Sequence, residues 1–325
     1  MPSSAGPAWA PVSSWSAIHA RAEMLRRLRR FFDARGVLEV ETPILSQAAT
    51  TDPALVSIRT RLEGPPASPF FLHTSPEFPM KRLLAAGSGP IYQVCKVFRD
   101  AERGRLHHPE FSLLEWYRPG WDLEQLIEEV ADLVRSLLDQ PGLPVEQSRY
   151  RDLFGQRLGV DPWVATAAEL QRLALERLIP GAEVLELDRD GWLDLLLTQC
   201  LESDLGRGRM SFLLDYPPSQ AALARISGDP PIAERFELYL DGIEIANGFF
   251  ELTDVVEQRE RFLADQRKRA AVGLPPAPID EHLLAALAAG LPACSGVALG
   301  LDRLLMRAIG VDRIDAVLAF PIERA

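Results

Sequence analysis

The chain has 325 residues, with 35 Lys and Arg against 46 Asp and Glu, which leaves a formal charge of -11. At 47% hydrophobic and 25% charged residues it has the make-up of a folded globular protein, and extensive disorder is excluded. No apolar run of about 18 residues and no basic start followed by an apolar core occurs, so neither a membrane span nor a secretory signal is expected, and the cytoplasm is the expected location.

Residues 1–14 are rich in Pro, Ser and Ala without a period and read as a flexible leader. Over 16–35 the apolar residues Ile18, Met24, Leu25, Leu28, Phe31 and Phe32 recur at helical spacing before Gly36, predicting an amphipathic helix. Its polar side holds Arg21, Arg26, Arg27, Arg29, Arg30 and Arg35, a local basic patch on an acidic chain. Strands are expected over 37–41, 70–73, 91–98 and 111–117, with a short helix over 80–84.

From 119 to 218 the periodicity is mostly helical, over 123–138, 165–178 and 192–205, and reads as a helical insertion. Strands return at 236–240, 242–250 and 296–300, with helices at 254–271, 280–289 and 301–309. Strand runs with helices clustered between them predict an α+β fold around a mostly antiparallel sheet, within a single domain over 15–325. Cys95, Cys200 and Cys294 are too widely spaced for a zinc site or a disulfide framework and read as reduced, buried thiols.

Three constellations stand out. Arg99-Asp100-Ala101-Glu102-Arg103-Gly104-Arg105 is a cation-rich loop followed by His107-His108-Pro109-Glu110-Phe111, a place to bind an anion. In the stretch 234–251, Glu234, Glu237, Glu244 and Glu251 recur among apolar residues. Carboxylates kept in such a sheet suit a hard cation. Gly296-Val297-Ala298-Leu299-Gly300 lets a ligand approach the backbone closely and leads into a helix that starts with Asp302 and Arg303.

Taken together these motifs resemble the catalytic domain of class II aminoacyl-tRNA synthetases of the lysyl type, over nearly the whole chain from Ser16. The first motif of that class would be the long helix with 36–43, the second Arg99 to Arg118, and the third Gly296 to Arg303. With only about 15 residues ahead of the first motif no anticodon-reading domain is expected, and the chain is most similar to the free-standing paralogs of lysyl-tRNA synthetase, the elongation factor P lysine ligases. The resemblance implies activation of (R)-β-lysine, or lysine, with ATP and Mg²⁺ as an aminoacyl-adenylate. Transfer to a lysine of elongation factor P would follow, in a homodimer without stable tRNA binding.

The resemblance also implies residue roles. Arg99 and Arg303 would be catalytic, Arg99 on the α-phosphate and Arg303 on the γ-phosphate. Asp100, Ala101, Glu102, Arg105, His108, Phe111, Glu244, Ile245 and Gly300 would complete the ATP site, Phe111 by stacking on adenine. Glu237 and Glu244 would carry Mg²⁺. Ser75, Pro76, Glu77, Glu115, Tyr117, Asn247, Glu251 and Ala298 would hold the amino acid, with Glu77 near one amine, Glu115, Tyr117 and Glu251 around the other, and Asn247 donating to the carboxylate.

The chain departs from the family pattern at two places. Ala101 stands where the second motif has a glutamate, leaving Glu102 one residue late, and His108 replaces an asparagine. Ala298 replaces the glycine usual in lysyl-tRNA synthetases, and its methyl would shrink the pocket in favour of a β-amino acid. Two other readings use the same motifs: a stand-alone aminoacylator of tRNA or a small molecule, and an inactive sensor of amino acid or nucleotide.

Overall fold

A computed structural model describes residues 7, 9–64 and 69–325. Residues 1–6 and 8 of the expected leader lie outside the described residues. Chain contacts divide it into two compact units, one of residues 1–140 and 253–325, the other of 141–252.

The first unit opens with α1 (Trp15–Asp33), capped by Ser14, whose hydroxyl accepts from the Ala17 amide at 3.2 Å. Its buried stripe is Met24, Leu28, Phe31 and Phe32, as the helical spacing demands. Order starts earlier than expected: the Val12 amide donates to the Ala319 carbonyl at 2.8 Å and Ser13 is buried. There follow β1 (Leu38–Glu39), β2 (Leu45–Ser46), β3 (Arg59–Arg61), β4 (Pro69–Leu72), α2 (Glu77–Ala85), β5 (Ile91–Phe98), β6 (Glu110–Pro119) and α3 (Leu123–Leu138).

The second unit contains β7 (Val145–Arg149), α4 (Tyr150–Leu158), α5 (Ala167–Glu176), α6 (Arg189–Leu196), β8 (Met210–Tyr216), β9 (Ile226–Ser227), β10 (Ile232–Leu240) and β11 (Ile243–Phe250). The first unit is completed by α7 (Val255–Ala271), α8 (Glu281–Gly290), β12 (Cys294–Gly300) and α9 (Leu301–Ile309).

In the first unit β5 and β6 pair antiparallel, β6 and β12 pair antiparallel, and β1 adds in parallel to β5. A separate small sheet runs β2-β4-β3. In the second unit β10 pairs antiparallel with β11, β8 and β9, and β7 runs parallel to β8. The α+β architecture with mostly antiparallel pairing is therefore as expected. The stretch 119–218 is less helical than its periodicity suggests. It contains β7 and β8, its first helix α3 belongs to the first unit, and α6 stops at Leu196 before a π-helical turn, Leu197–Leu201.

Each unit buries its own core. In the first, Phe32 stacks on Tyr92 at 4.4 Å and meets Trp116 edge-on at 5.4 Å, fixing α1 against the sheet. In the second, Tyr150, Phe154, Trp192, Leu193, Leu196 and Tyr216 form one buried cluster that carries the helices against β8 and β10.

Candidate active site

The second-motif loop leaves β5 at Phe98. The Arg99 amide is bonded to the Pro109 carbonyl at 2.9 Å and that of Asp100 to the Val56 carbonyl at 2.8 Å, so both ends of the loop are pinned. Ala101 takes a left-handed conformation with φ of 62°. Its amide donates to the Asp100 carboxylate at 2.8 Å, and its carbonyl accepts from the Arg103 amide at 3.0 Å. Alanine at this tight turn leaves no side chain for the family glutamate's contact. Glu102 instead lies 3.6 Å from the Arg99 guanidinium. Arg99 also lies over the Phe111 ring at 5.1 Å, and its buried Nε has no hydrogen-bond partner. A buried, unpaired guanidinium N–H is costly in the absence of an anion and is a ready donor to phosphate.

Arg303, on the first turn of α9, donates from Nε to the Leu106 carbonyl at 3.3 Å and meets His107 Nε2 at 2.7 Å. Burial, then the Arg303 and Arg99 charges, holds His107 below the ordinary histidine range, so a neutral ring accepts from Arg303. His108, expected at the ATP site, has both ring nitrogens against main chain. Its Nδ1 lies 2.5 Å from the Glu110 carbonyl oxygen and its Nε2 accepts from the Ile322 amide at 2.8 Å. Arg105 donates to the Asp312 carbonyl at 3.2 Å and anchors the loop. Asp302, 1% exposed, accepts from the Ser112 amide at 2.6 Å and from Arg21, and so fixes the start of α9 beside β6.

A second group sits at the start of α2. Pro76 is its cap residue, and the Ser75 hydroxyl accepts from the Glu77 amide at 2.9 Å while donating to Glu115 at 2.7 Å. The Tyr117 hydroxyl donates to the other Glu115 oxygen at 2.6 Å. Glu77 is paired at 2.6 Å with Lys81, whose side chain is 1% exposed. Burial and the neighbouring Glu77 charge push Glu115 up to about 7, against the two hydroxyl bonds and Lys81, which lower it.

Register explains why Ala298 belongs with this group. Across β6 and β12, Tyr117 faces Gly296, Glu115 faces Ala298 and Leu113 faces Gly300. Opposed residues share a face, so β12 presents only glycines and one methyl beside Glu115 and Tyr117, while Val297 and Leu299 turn to the other side.

In the second unit β10 and β11 carry the predicted carboxylates. Glu237 opposes Asn247 and Tyr239 opposes Glu244, with a register shift between Leu238 and Tyr239. The shift leaves the buried Ile245 as the extra residue of a bulge and turns Glu244 onto the face of Glu237 and Asn247. Without it, strict alternation would put Glu244 on the opposite side. Glu237 accepts at 2.5 Å from Arg235 and from the Tyr239 hydroxyl. Glu251 is 1% exposed, and its backbone bridges to Ala224.

Among the described residues, no group of three His, Cys, Asp or Glu forms a closed metal cage. Two carboxylates on one sheet face nevertheless fit Mg²⁺, which usually takes one or two carboxylates and completes its shell with water and phosphate.

Arg235 and Lys81 escape motif reading because each acts through a contact to another side chain. The basic patch on α1 is compensated: Arg26, Arg27 and Arg30 converge on Glu23, Arg29 pairs with Glu39 and Arg21 with Asp302. Of the cysteines only Cys294 is buried, whereas Cys95 and Cys200 are partly exposed, and none of the three is in a disulfide. Among the described residues no helix is long and apolar enough to cross a membrane.

The family model for class II tRNA synthetases (D, K and N) matches residues 12–324, and the chain belongs to that family. Within it the chain groups with proteins named elongation factor P–(R)-β-lysine ligase. Those of Sodalis glossinidius, Salmonella arizonae and Klebsiella pneumoniae are each 50% identical over 321 residues, spanning 98% of both chains.

Proposed function

We propose that the chain is an ATP-dependent ligase that activates (R)-β-lysine, or lysine, and transfers it to a lysine side chain of elongation factor P. The observation that carries this reading is the buried Glu115 with half-buried Glu77 beside a strand face cleared by Gly296, Ala298 and Gly300. Buried carboxylates suit an ammonium substrate, and the cleared face gives it room.

In the first step a carboxylate oxygen of the amino acid attacks the α-phosphorus of ATP. The bond to the bridging oxygen breaks, and pyrophosphate leaves. The attacking group is already an anion, so positioning and charge stabilisation suffice without a general base. Arg99 donates to the α-phosphoryl oxygens as charge builds up there, and Phe111, beneath the guanidinium, offers a ring for adenine. Arg303, steadied by neutral His107, takes the γ-phosphate. Glu237 and Glu244 would hold Mg²⁺, which when bound neutralises the triphosphate.

Glu115, Tyr117 and Glu251 receive one substrate ammonium and Glu77 the other, while Asn247 donates to the carboxylate. In the second step the neutral amine of the acceptor lysine attacks the adenylate carbonyl, forming an amide and releasing AMP. The exposed Leu38, Ile44 and Leu45 after α1 support a homodimer formed through that segment. Light scattering that returns a monomer removes the dimer.

The test is ATP–pyrophosphate exchange with α-lysine, both β-lysine enantiomers and the other amino acids, followed by transfer with elongation factor P or bulk tRNA as acceptor. Exchange led by (R)-β-lysine with labelling of elongation factor P supports the proposal. Labelling of tRNA favours the aminoacylator, and no exchange at all favours the sensor.

A further inference from the structure

Arg235 lies outside the three class motifs, yet its guanidinium makes three hydrogen bonds on the β10–β11 face. Its Nε donates to Asn247 Oδ1 at 3.2 Å, one terminal nitrogen to the Gln220 carbonyl at 2.8 Å, and the other to Glu237. The side chain is 16% exposed and lies over the Tyr216 ring at 4.4 Å. A planar fork that satisfies three acceptors in three directions has one orientation, and it fixes the groups it binds.

The consequence for Asn247 is chemical. An asparagine amide can present either its oxygen or its NH₂ group to a ligand, and rotation about the last bond exchanges them. With Oδ1 held by Arg235, the Nδ2 hydrogens are the part turned away from the guanidinium. We propose that Arg235 is a positioning residue that locks the Asn247 amide with its NH₂ group presented to the substrate carboxylate. The inference rests on the reading that Asn247 meets that carboxylate and adds the device that keeps it a donor. A freely rotating amide would spend part of its time offering a lone pair to an anion, which repels it.

Arg235→Gln, Arg235→Lys, Asn247→Ala, Asn247→Asp and the Arg235→Gln/Asn247→Ala pair are compared with wild type in pyrophosphate exchange, with KM measured separately for amino acid and ATP. The expected result is a rise of about tenfold in the amino-acid KM for Arg235→Gln, the size of one lost charge-assisted contact, with a smaller change for ATP. Arg235→Lys recovers part of it. The double variant is no worse than Asn247→Ala within about twofold, as coupled residues require. Asn247→Asp keeps an acceptor for Arg235 and the wild-type melting temperature but loses the donor, so its amino-acid KM rises.

Independent effects that multiply in the double variant, equal changes in both KM values, or a wild-type KM in Asn247→Ala overturn the proposal. A second readout needs no activity. The side-chain amide group of Asn247, identified by its loss in Asn247→Ala, is expected to be as rigid as the backbone in wild type, by 15N relaxation, and to become mobile with shifted signals in Arg235→Gln. Identical amide signals in the two proteins overturn the lock even if exchange chemistry is absent, whereas a wild-type protein that exchanges with no diamino acid overturns the functional reading.

Discussion

Glu115 on β6 and Ala298 on β12 stand directly opposite each other in an antiparallel pair, so the one methyl among the three small residues on that face of β12 lies beside the buried carboxylate. The same rung continues to Gln93 on β5. This relationship makes Ala298 a determinant of substrate shape. Ala298→Gly opens the volume of one methyl next to Glu115, and one methyl or methylene is worth about tenfold or more in discrimination. The expected outcome is a shift of about tenfold in the ratio of kcat/KM values towards α-lysine, at a strand cost of about 0.5–1 kcal/mol. An unchanged α to β ratio in pyrophosphate exchange removes the role of the methyl.

Glu115 gives the site a pH dependence. Its carboxyl is pushed up to about 7, and the charged groups facing it are Glu77 and Lys81, with Ser75 and Tyr117 on its oxygens. An ammonium substrate needs the ionised form, so kcat/KM for the amino acid is expected to rise as pH passes through about 7. In Glu115→Gln the profile is flat over that range and lower throughout. Stability runs the other way. The folded state holds this proton more tightly than the unfolded chain, so the contribution is complete below the ordinary carboxyl range and is lost as pH rises through about 7. Wild type should therefore lose melting temperature relative to Glu115→Gln across that interval. Parallel melting curves at all pH values would count against a protonated Glu115.

Arg99 is expected to behave as a group used mainly in the transition state. Its partnerless buried Nε and its place over Phe111 leave it oriented but unsatisfied. Removing such a donor costs about 10²–10³ in kcat. Arg99→Ala should lose that much exchange rate with little change in melting temperature, since its ion pair with Glu102 is partly exposed. A proportionate rise in ATP KM with unchanged kcat would make Arg99 a ground-state binding residue instead.

Long periodic elements were legible from residue spacing alone: 91–98, 123–138 and 301–309 coincide with β5, α3 and α9. β7 was not, because four of its five residues, Val145-Glu146-Gln147-Ser148-Arg149, are exposed and polar alternation is absent. β8 was hidden by its neighbours, since the apolar run Met210–Tyr216 follows helical periods and reads equally well as either element. In the site, the motif residues were legible through the family pattern, but the bulge at Ile245 was not. It depends on how β10 and β11 pair, and it decides which face Glu244 uses. Lys81 and Arg235 carry no motif of their own, because a counter-ion is defined by the group it meets after folding.

Asp302 shows the same dependence on folding and gives a prediction about stability. It is buried, its two oxygens accept from the Ser112 amide and Arg21, and it precedes Arg303 on α9. Asp302→Ala strips partners from a main-chain N–H and from a guanidinium at once. Breaking a buried charge pair by removing one side costs about 3–5 kcal/mol. Asp302→Asn retains one acceptor and should lose less. Because the Arg303 bonds to Leu106 and His107 depend on where α9 starts, Asp302→Asn is also expected to raise the ATP KM more than the amino-acid KM. Denaturant unfolding of both variants, with the two KM values for Asp302→Asn, checks the argument. Destabilisation by Asp302→Ala of under about 1 kcal/mol would show that Arg21 and Ser112 find other partners, and equal KM changes would detach Asp302 from the phosphate site.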